Sequence, residues 1–344
     1  MQQNDASPFK RRYLIWSLVA VAALAAGAYF FVNGGPGIKP SGPPEKVTIA
    51  HTTNTDATLA VVAQMRGYYR KEGLEAAVRQ HAYGKPALQD VLEGKADFAT
   101  VAETPFMFAA MGGEKICVIA TILKSTLINA IVARKDRGIG AVADLKGRKV
   151  GTTPGTTLDY FLDATLGAQG ISRKEVRIVD LKADEAPKAL ERGGVDAAST
   201  FHPFSALAQK KLGANGITFY GRDIYTTTFH VVAKQEFIRQ NPQKVKKMLR
   251  ALLDAEEFVR QHPAEAQKIV ADSTGLDIAA VRDFWDKQDF SVSLDQSLLL
   301  ALEDESRWAI RNRLTDGVKI PNYLDYVCLD GLASVKPKGV NILR

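Results

Sequence analysis

The chain has 344 residues, 46% hydrophobic and 24% charged, with 27 Gly and 14 Pro, which excludes disorder, collagen and coiled coil as descriptions of the whole. Its net charge of +7 divides into +2 over residues 1–45 and +5 spread along the rest, with no basic stripe and no nucleic-acid motif, so no nucleic-acid partner is expected. Two cysteines and five scattered histidines without HExxH exclude a disulfide framework, a Cys-rich zinc site and a catalytic zinc.

Residues 13–32 form a run of 20 without a charge. As a helix it would span roughly 30 Å, the thickness of a bilayer core. Lys10, Arg11 and Arg12 precede it, so residues 1–12 are expected as a cytoplasmic tail with the rest outside. The run exceeds a signal-peptide apolar region and reads as an uncleaved anchor; a cleaved signal is the alternative, because Ala26-Gly27-Ala28 is small. Residues 33–45 are Gly- and Pro-rich and read as a linker.

Beyond the linker, residues 46–50 are a β-type run, 51–56 a polar loop, and 57–70 a helix closed by Gly73. A strand is predicted over 74–80. A helix then starts at Tyr83-Gly84-Lys85-Pro86 and stops at Gly94. A strand over 97–101, a short helix over 105–111 and a strand over 116–122 follow. The same alternation restarts with strand 149–152, loop 154–157, helix 158–166, strand 176–179, helix 186–192 and strand 196–200. After a strand at 227–233 the pattern is helical over 242–261, 263–273, 278–286 and 297–313. Strand–helix alternation predicts an α/β fold with largely parallel sheet, and in such sheets ligands sit at the carboxyl ends of the strands.

The loops at those ends hold the candidate site. Gly155, Thr156 and Thr157 precede a helix, where free N–H groups, the positive dipole end and two hydroxyls suit an anion; simple helix capping by either Thr is the competing reading. Tyr83, Gly84 and Lys85 form the matching loop, with Lys85 as a counter-ion or an ordinary surface lysine and Gly84 allowing close backbone approach. Glu103 and Thr104 end a strand. Glu103 would repel nitrate and suits an amine or a ring N–H; otherwise it is a helix-start acid. Phe201 can stack on a ligand or fill core. His202 titrates near neutrality, which would make binding pH-dependent, unless it is a partly exposed bystander. His51, Thr52, Thr53 and Asn54 offer hydroxyl, imidazole and amide partners, and Asp159 and Tyr160 are weaker candidates. Cys117 lies in an apolar strand and reads as inert core; Cys328 has no evident partner. No catalytic constellation, metal or cofactor is expected.

Five segments in order resemble one family. Gly67-Tyr-Tyr-Arg-Lys-Glu-Gly-Leu74 is similar to the GxFxxEGL segment of substrate-binding proteins of ABC importers, in the nitrate, sulfonate and taurine class. Ala87 to Phe98, Asp144 to Gly151 with Pro154-Gly155-Thr156, Gly194-Val-Asp-Ala197 with Pro203, and Pro321 to Tyr326 match as well. The resemblance implies a two-lobed periplasmic binding protein type II fold with crossover strands at 127–133 and 227–233. Residues 46–134 plus 223–344 would form lobe 1 and 135–222 lobe 2, with the ligand in the cleft. It implies capture of a small organic anion or zwitterion for delivery to an ABC permease, on the periplasmic side of the bacterial inner membrane. Two alternatives remain at this point, a membrane-tethered ligand sensor or adaptor and a thiamine-pyrimidine binding protein. A pyrimidine-precursor synthase of similar fold relies on a Cys-rich stretch that this sequence lacks.

Overall fold

A computed structural model of the protein describes residues 43–343. The expected tail, the segment at 13–32 and nearly all of the linker lie outside the described residues. Among the described residues no helix is long and apolar enough to cross a membrane.

The first lobe opens with β1 (Glu45–Thr52), α1 (Thr58–Met65) and α2 (Tyr68–Lys71). One helix was expected over 57–70; Gly67, at φ 71°, enters the left-handed region and splits it. Next come β2 (Leu74–His81), α3 (Gly84–Leu92), β3 (Phe98–Ala102), α4 (Glu103–Met111) and β4 (Ile116–Ser125). The chain then enters a second sheet through β5 (Asn129–Arg134), followed by β6 (Lys149–Thr152), α5 (Thr157–Gly167), β7 (Arg177–Asp180) and α6 (Ala186–Glu191). β8 (Ala197–Phe201), α7 (Phe204–Leu212) and β9 (Gly216–Tyr220) complete it. The chain returns along β10 (Thr227–Lys234) into α8 (Gln235–Gln240), α9 (Pro242–Gln261), α10 (Pro263–Thr274) and α11 (Ile278–Trp285). It ends with β11 (Leu294–Asp295), α12 (Gln296–Arg311), α13 (Leu329–Val335) and β12 (Val340–Asn341).

The first sheet has the order β2-β1-β3-β10-β4 and the second β7-β6-β8-β5-β9. The sheets are mixed rather than largely parallel. β1 pairs parallel with β2 and β3, but β10 runs antiparallel to β3 and β4. In the second sheet β6 pairs parallel with β7 and β8, while β5 is antiparallel to β8 and β9. The reversed strand in each sheet is the one that arrives from the other sheet. It has no βαβ crossover to turn it parallel. Residues 129–134, placed in the first lobe by the sequence reading, sit inside the second sheet. α7 and β9 have no counterpart in the predicted elements.

Burial follows the local patterns. α9 turns Val245, Met248, Leu249, Leu252, Ala255 and Val259 inward at helical spacing, against the core that covers the first sheet. β3, buried at every position, lies between β1 and β10 and reads as a continuous apolar run apart from Thr100. Cys117 in β4 and Cys328 form a disulfide, with Cα atoms 5.9 Å apart, so the readings of an inert Cys117 and a partnerless Cys328 are corrected. Their separation of 211 positions hid the pairing from the sequence, because only the return of the C-terminal segment against β4 joins them. There Cys328 N–H donates to the Val118 carbonyl at 2.9 Å.

Candidate functional site

A small cavity of about 50 Å³ lies between the two sheets, at the carboxyl ends of their parallel strands. At ~10–15 Å³ for one water position, it has room for a few such positions. Asp56 beyond β1, Tyr83 to Lys85 at the start of α3 and Ala102 at the end of β3 come from the first lobe. Thr153, Thr156 and Thr157 after β6, and Phe201 at the end of β8, come from the second. Asn129 and Thr227 face each other where the chain passes between sheets, and Asn129 Nδ2 donates to Thr227 Oγ1 at 2.7 Å. The lining is mostly apolar, with Phe229 and Ile128 closing it.

Six of the sequence-predicted residues line this cavity: Tyr83, Gly84, Lys85, Thr156, Thr157 and Phe201. At Gly84 a Cβ would meet Val101 Cα at 3.0 Å, so the residue lets α3 start against β3. Lys85 Nζ donates to the Pro154 carbonyl at 3.3 Å and so links the lobes at the rim. Gly155 stands beneath that ammonium but lines the neighbouring groove, not the cavity. The capping reading for the α5 start does not hold. Thr156 is the N-cap residue, yet its hydroxyl donates to the Thr153 carbonyl at 2.7 Å and caps nothing. The Gly155 N–H donates instead to Asp159 Oδ2 at 3.1 Å.

The other predicted residues are used elsewhere. His51 and Thr52 belong to β1 rather than to a loop, and the His51 ring meets the Thr52 carbonyl at 2.8 Å. Asn54 Nδ2 donates to the Ala82 carbonyl at 2.7 Å, and Thr53 Oγ1 sits 3.5 Å from the His81 carbonyl; both hold the β1 and β2 ends together. From this stretch it is Asp56 that reaches the cavity, turned inward by the short 3-10 helix Thr55–Ala57. The loop was legible; which of its residues points inward was not.

Glu103 and Thr104 are fully buried and do not line the cavity. Glu103 Oε2 accepts from the Thr228 N–H at 2.8 Å and from its hydroxyl at 3.0 Å. Thr228 Oγ1 in turn meets His230 Nε2 at 2.9 Å, and His230 Nδ1 meets Thr121 Oγ1 at 3.1 Å. Burial pushes Glu103 up to about 8, against the pull of its bonds from Thr228. Burial, reinforced by the nearby Glu103 charge, raises Glu305 well above the usual carboxylate range. His202 is buried, not partly exposed, and stacks on Phe284 of the first lobe at 4.3 Å. Burial lowers its pKa to about 4, so it is uncharged near neutrality.

Contacts between the lobes surround a separate groove lined by Tyr160, Asp163, Arg173 and Trp308. Trp308 Nε1 on α12 donates to Asp163 on α5 at 2.7 Å, and within the second lobe Arg173 bridges Asp159 and Asp163 at 2.7 and 2.9 Å. Tyr160 on α5 meets Trp308 edge to face at 5.2 Å and Tyr225 at 5.1 Å. Tyr225 OH donates to Glu305 at 3.1 Å. Trp308 and Glu305 carry no local sequence signal, since each acts across some 80 to 145 residues.

The arrangement can enclose a compact polar molecule; its parts are those of a clamp. A protein of Brucella abortus is 26% identical over 205 residues, 58% of this chain and 62% of its own length. The taurine-binding periplasmic protein of Escherichia coli K12 is 25% identical over 212 residues, 61% of this chain and 65% of that protein. The chain thus spans under two thirds of the length of these relatives. The crystal structure of the periplasmic aliphatic sulphonate binding protein of Escherichia coli superposes with a TM-score of 0.72 at 19% identity. That superposition covers 82% of this chain and 97% of that one, and it shows the same fold. The NMT1/THI5 like family model matches residues 54–266, more than half of the chain. The protein belongs to the NMT1/THI5-like family.

Proposed function

We propose that this chain is an extracytoplasmic solute-binding protein. Its lobes close over a small organic anion or zwitterion, of the sulfonate, taurine or nitrate kind, and hand it to an ABC permease. The observation that carries this reading is the cavity built from the strand ends of both sheets, as ligand sites in α/β sheets are. The unpartnered Thr157 hydroxyl and the start of α5 offer donors to an acid group, and Lys85 brings a positive charge to the rim. Binding alone accounts for these parts, so we read no enzyme activity into them. The Cys117–Cys328 disulfide supports an oxidising compartment outside the cytoplasm. Residues 13–32 would hold the protein to the outer face of the inner membrane, and residues 46–128 with 223–344 would form one half of the clamp.

The test is a thermal-shift screen of the full chain with sulfonates, taurine, nitrate, bicarbonate and pyrimidines. A ligand at about 100 times its Kd should stabilise the fold by about 2.7 kcal/mol. A shift with the sulfonate or taurine group supports the reading. A folded sample that responds to none of them overturns it.

A further inference from the structure

Asp56 is the ionisable side chain that the cavity buries. It is 3% exposed, lines the cavity and accepts a hydrogen bond from the Thr52 hydroxyl on one oxygen. Burial raises its carboxyl to about 7, and the opposing pull comes from the Thr52 hydroxyl rather than from a neighbouring cation. Lys85, the other charged group of the lining, is turned to the Pro154 carbonyl. The rest of the lining near the first lobe is apolar and aromatic, with Tyr83 and Phe229 on that side and Phe201 opposite. A buried carboxyl without a cation repels a plain anion and leaves a neutral ligand without compensation for its charge. Aromatic faces together with a carboxylate are, in contrast, the chemistry that receives an organic ammonium.

We propose that the cavity recognises a ligand through a protonated amino group held by Asp56. The ligand is then a small zwitterion. Its amine lies at the first-lobe end, beside Tyr83 and Phe229, and its acid group lies at the start of α5. Asp56 is thus the residue that selects amino-bearing ligands over plain anions. This inference rests on the binding-protein reading above and narrows it, because it demotes nitrate and unsubstituted alkanesulfonates.

The experiment uses two pairs of near-isosteres, 2-aminoethanesulfonate against 2-hydroxyethanesulfonate and β-alanine against 3-hydroxypropionate. Each is titrated calorimetrically into the full chain and into Asp56→Asn. The wild-type protein should bind the amine of at least one pair about 10- to 100-fold more tightly than its hydroxyl partner, as a charge-assisted hydrogen bond predicts. Asp56→Asn should remove that preference, because the amine loses its partner and the hydroxyl anion, no longer repelled, binds as tightly as before or more tightly. The wild-type comparison stands even if the variant does not fold. Equal binding of both members of a pair overturns the inference and leaves the binding-protein reading intact. So does a preference that survives in Asp56→Asn. Binding of neither member of either pair overturns the inference; if sulfonates and nitrate also fail, the wider reading falls with it.

Discussion

The two lobes are built on one strand order and carry opposite chemistry. Each sheet places a parallel trio beside one reversed strand and an edge strand, so β1, β3 and β10 occupy the places of β6, β8 and β5. The loop after β1 turns an acid, Asp56, toward the cavity, and Glu103 lies buried behind the end of β3. The loop after β6 turns Thr156 and Thr157 and the start of α5 toward the same cavity. The cores differ as well: the first lobe packs its sheet under the long C-terminal helices, whereas the second has two small clusters. Equal topology therefore fixes where a site forms, and side chains at matching strand ends decide what it can hold.

The largest break in that comparison should come from Trp308, which joins α12 of the first lobe to α5 of the second. It is buried, bonds Asp163 and packs against Tyr160 and Phe108. Trp308→Ala should cost about 3–5 kcal/mol in denaturant unfolding. Ligand affinity should fall too, because the closed arrangement loses its main bond between helices. Unchanged stability would show that the lobes do not need this latch. The disulfide joins two first-lobe segments away from the cavity: Cys117→Ala with Cys328→Ala should cost about 2–4 kcal/mol and leave ligand affinity unchanged.

Titration separates the buried acid from the buried histidines. Glu103 has an ordinary pKa of 4.5 and is raised to about 8 in the folded protein. The folded state therefore holds the proton more tightly than the unfolded chain. The stability this gives is complete below about 4.5 and is lost as pH rises through 8. His202 and His230 behave oppositely, lowered by burial from 6.5 to about 4 and about 3, so their contribution is present above 6.5 and lost as pH falls through those values. Glu103→Gln should flatten the fall in stability that starts near pH 4.5, by about 1–2 kcal/mol between pH 4 and pH 6 and by on the order of 1–3 kcal/mol between pH 6 and pH 9. The check is urea unfolding at pH 4, 6 and 9, and an unaltered alkaline side would place the titrating proton elsewhere.

The elements that were legible in the sequence are those whose signal is local. Pro242 and Pro263 mark helix starts, and α9 and α10 begin there. The apolar run of β3 and the turn around Gly155 read directly as well. What the sequence hid depends on pairing across distance. That β5 belongs to the second sheet is decided by its partners β8 and β9, not by its own residues. Cys117 and Cys328 meet only after the chain has crossed to the second lobe and returned. Glu103 read as a cleft residue because a helix-start acid at a strand end has the same sequence whether it faces the cavity or Thr228. Asp56 lay in a loop already singled out, and only the turn at Thr55–Ala57 chose it over Asn54.

The smallest expected effect belongs to Lys85, and it tests whether the positive side of the site belongs to one lobe or both. Lys85 is a first-lobe residue, yet its ammonium sits against Pro154 and Gly155 of the second. It therefore adds its charge to the end of the cavity that already has the α5 dipole. The contact lies at the solvent rim, where a single ion contributes little and salt screens it. Lys85→Met keeps the stem and removes the charge. It should weaken binding of a zwitterion by about 3- to 10-fold at low salt, with less effect as salt rises. The ratio between amine and hydroxyl ligands should not move, because that ratio is set at the opposite end by Asp56. A salt-independent loss, or a change in that ratio, would instead make Lys85 a packing contact of the closed lobes or place it beside the amine.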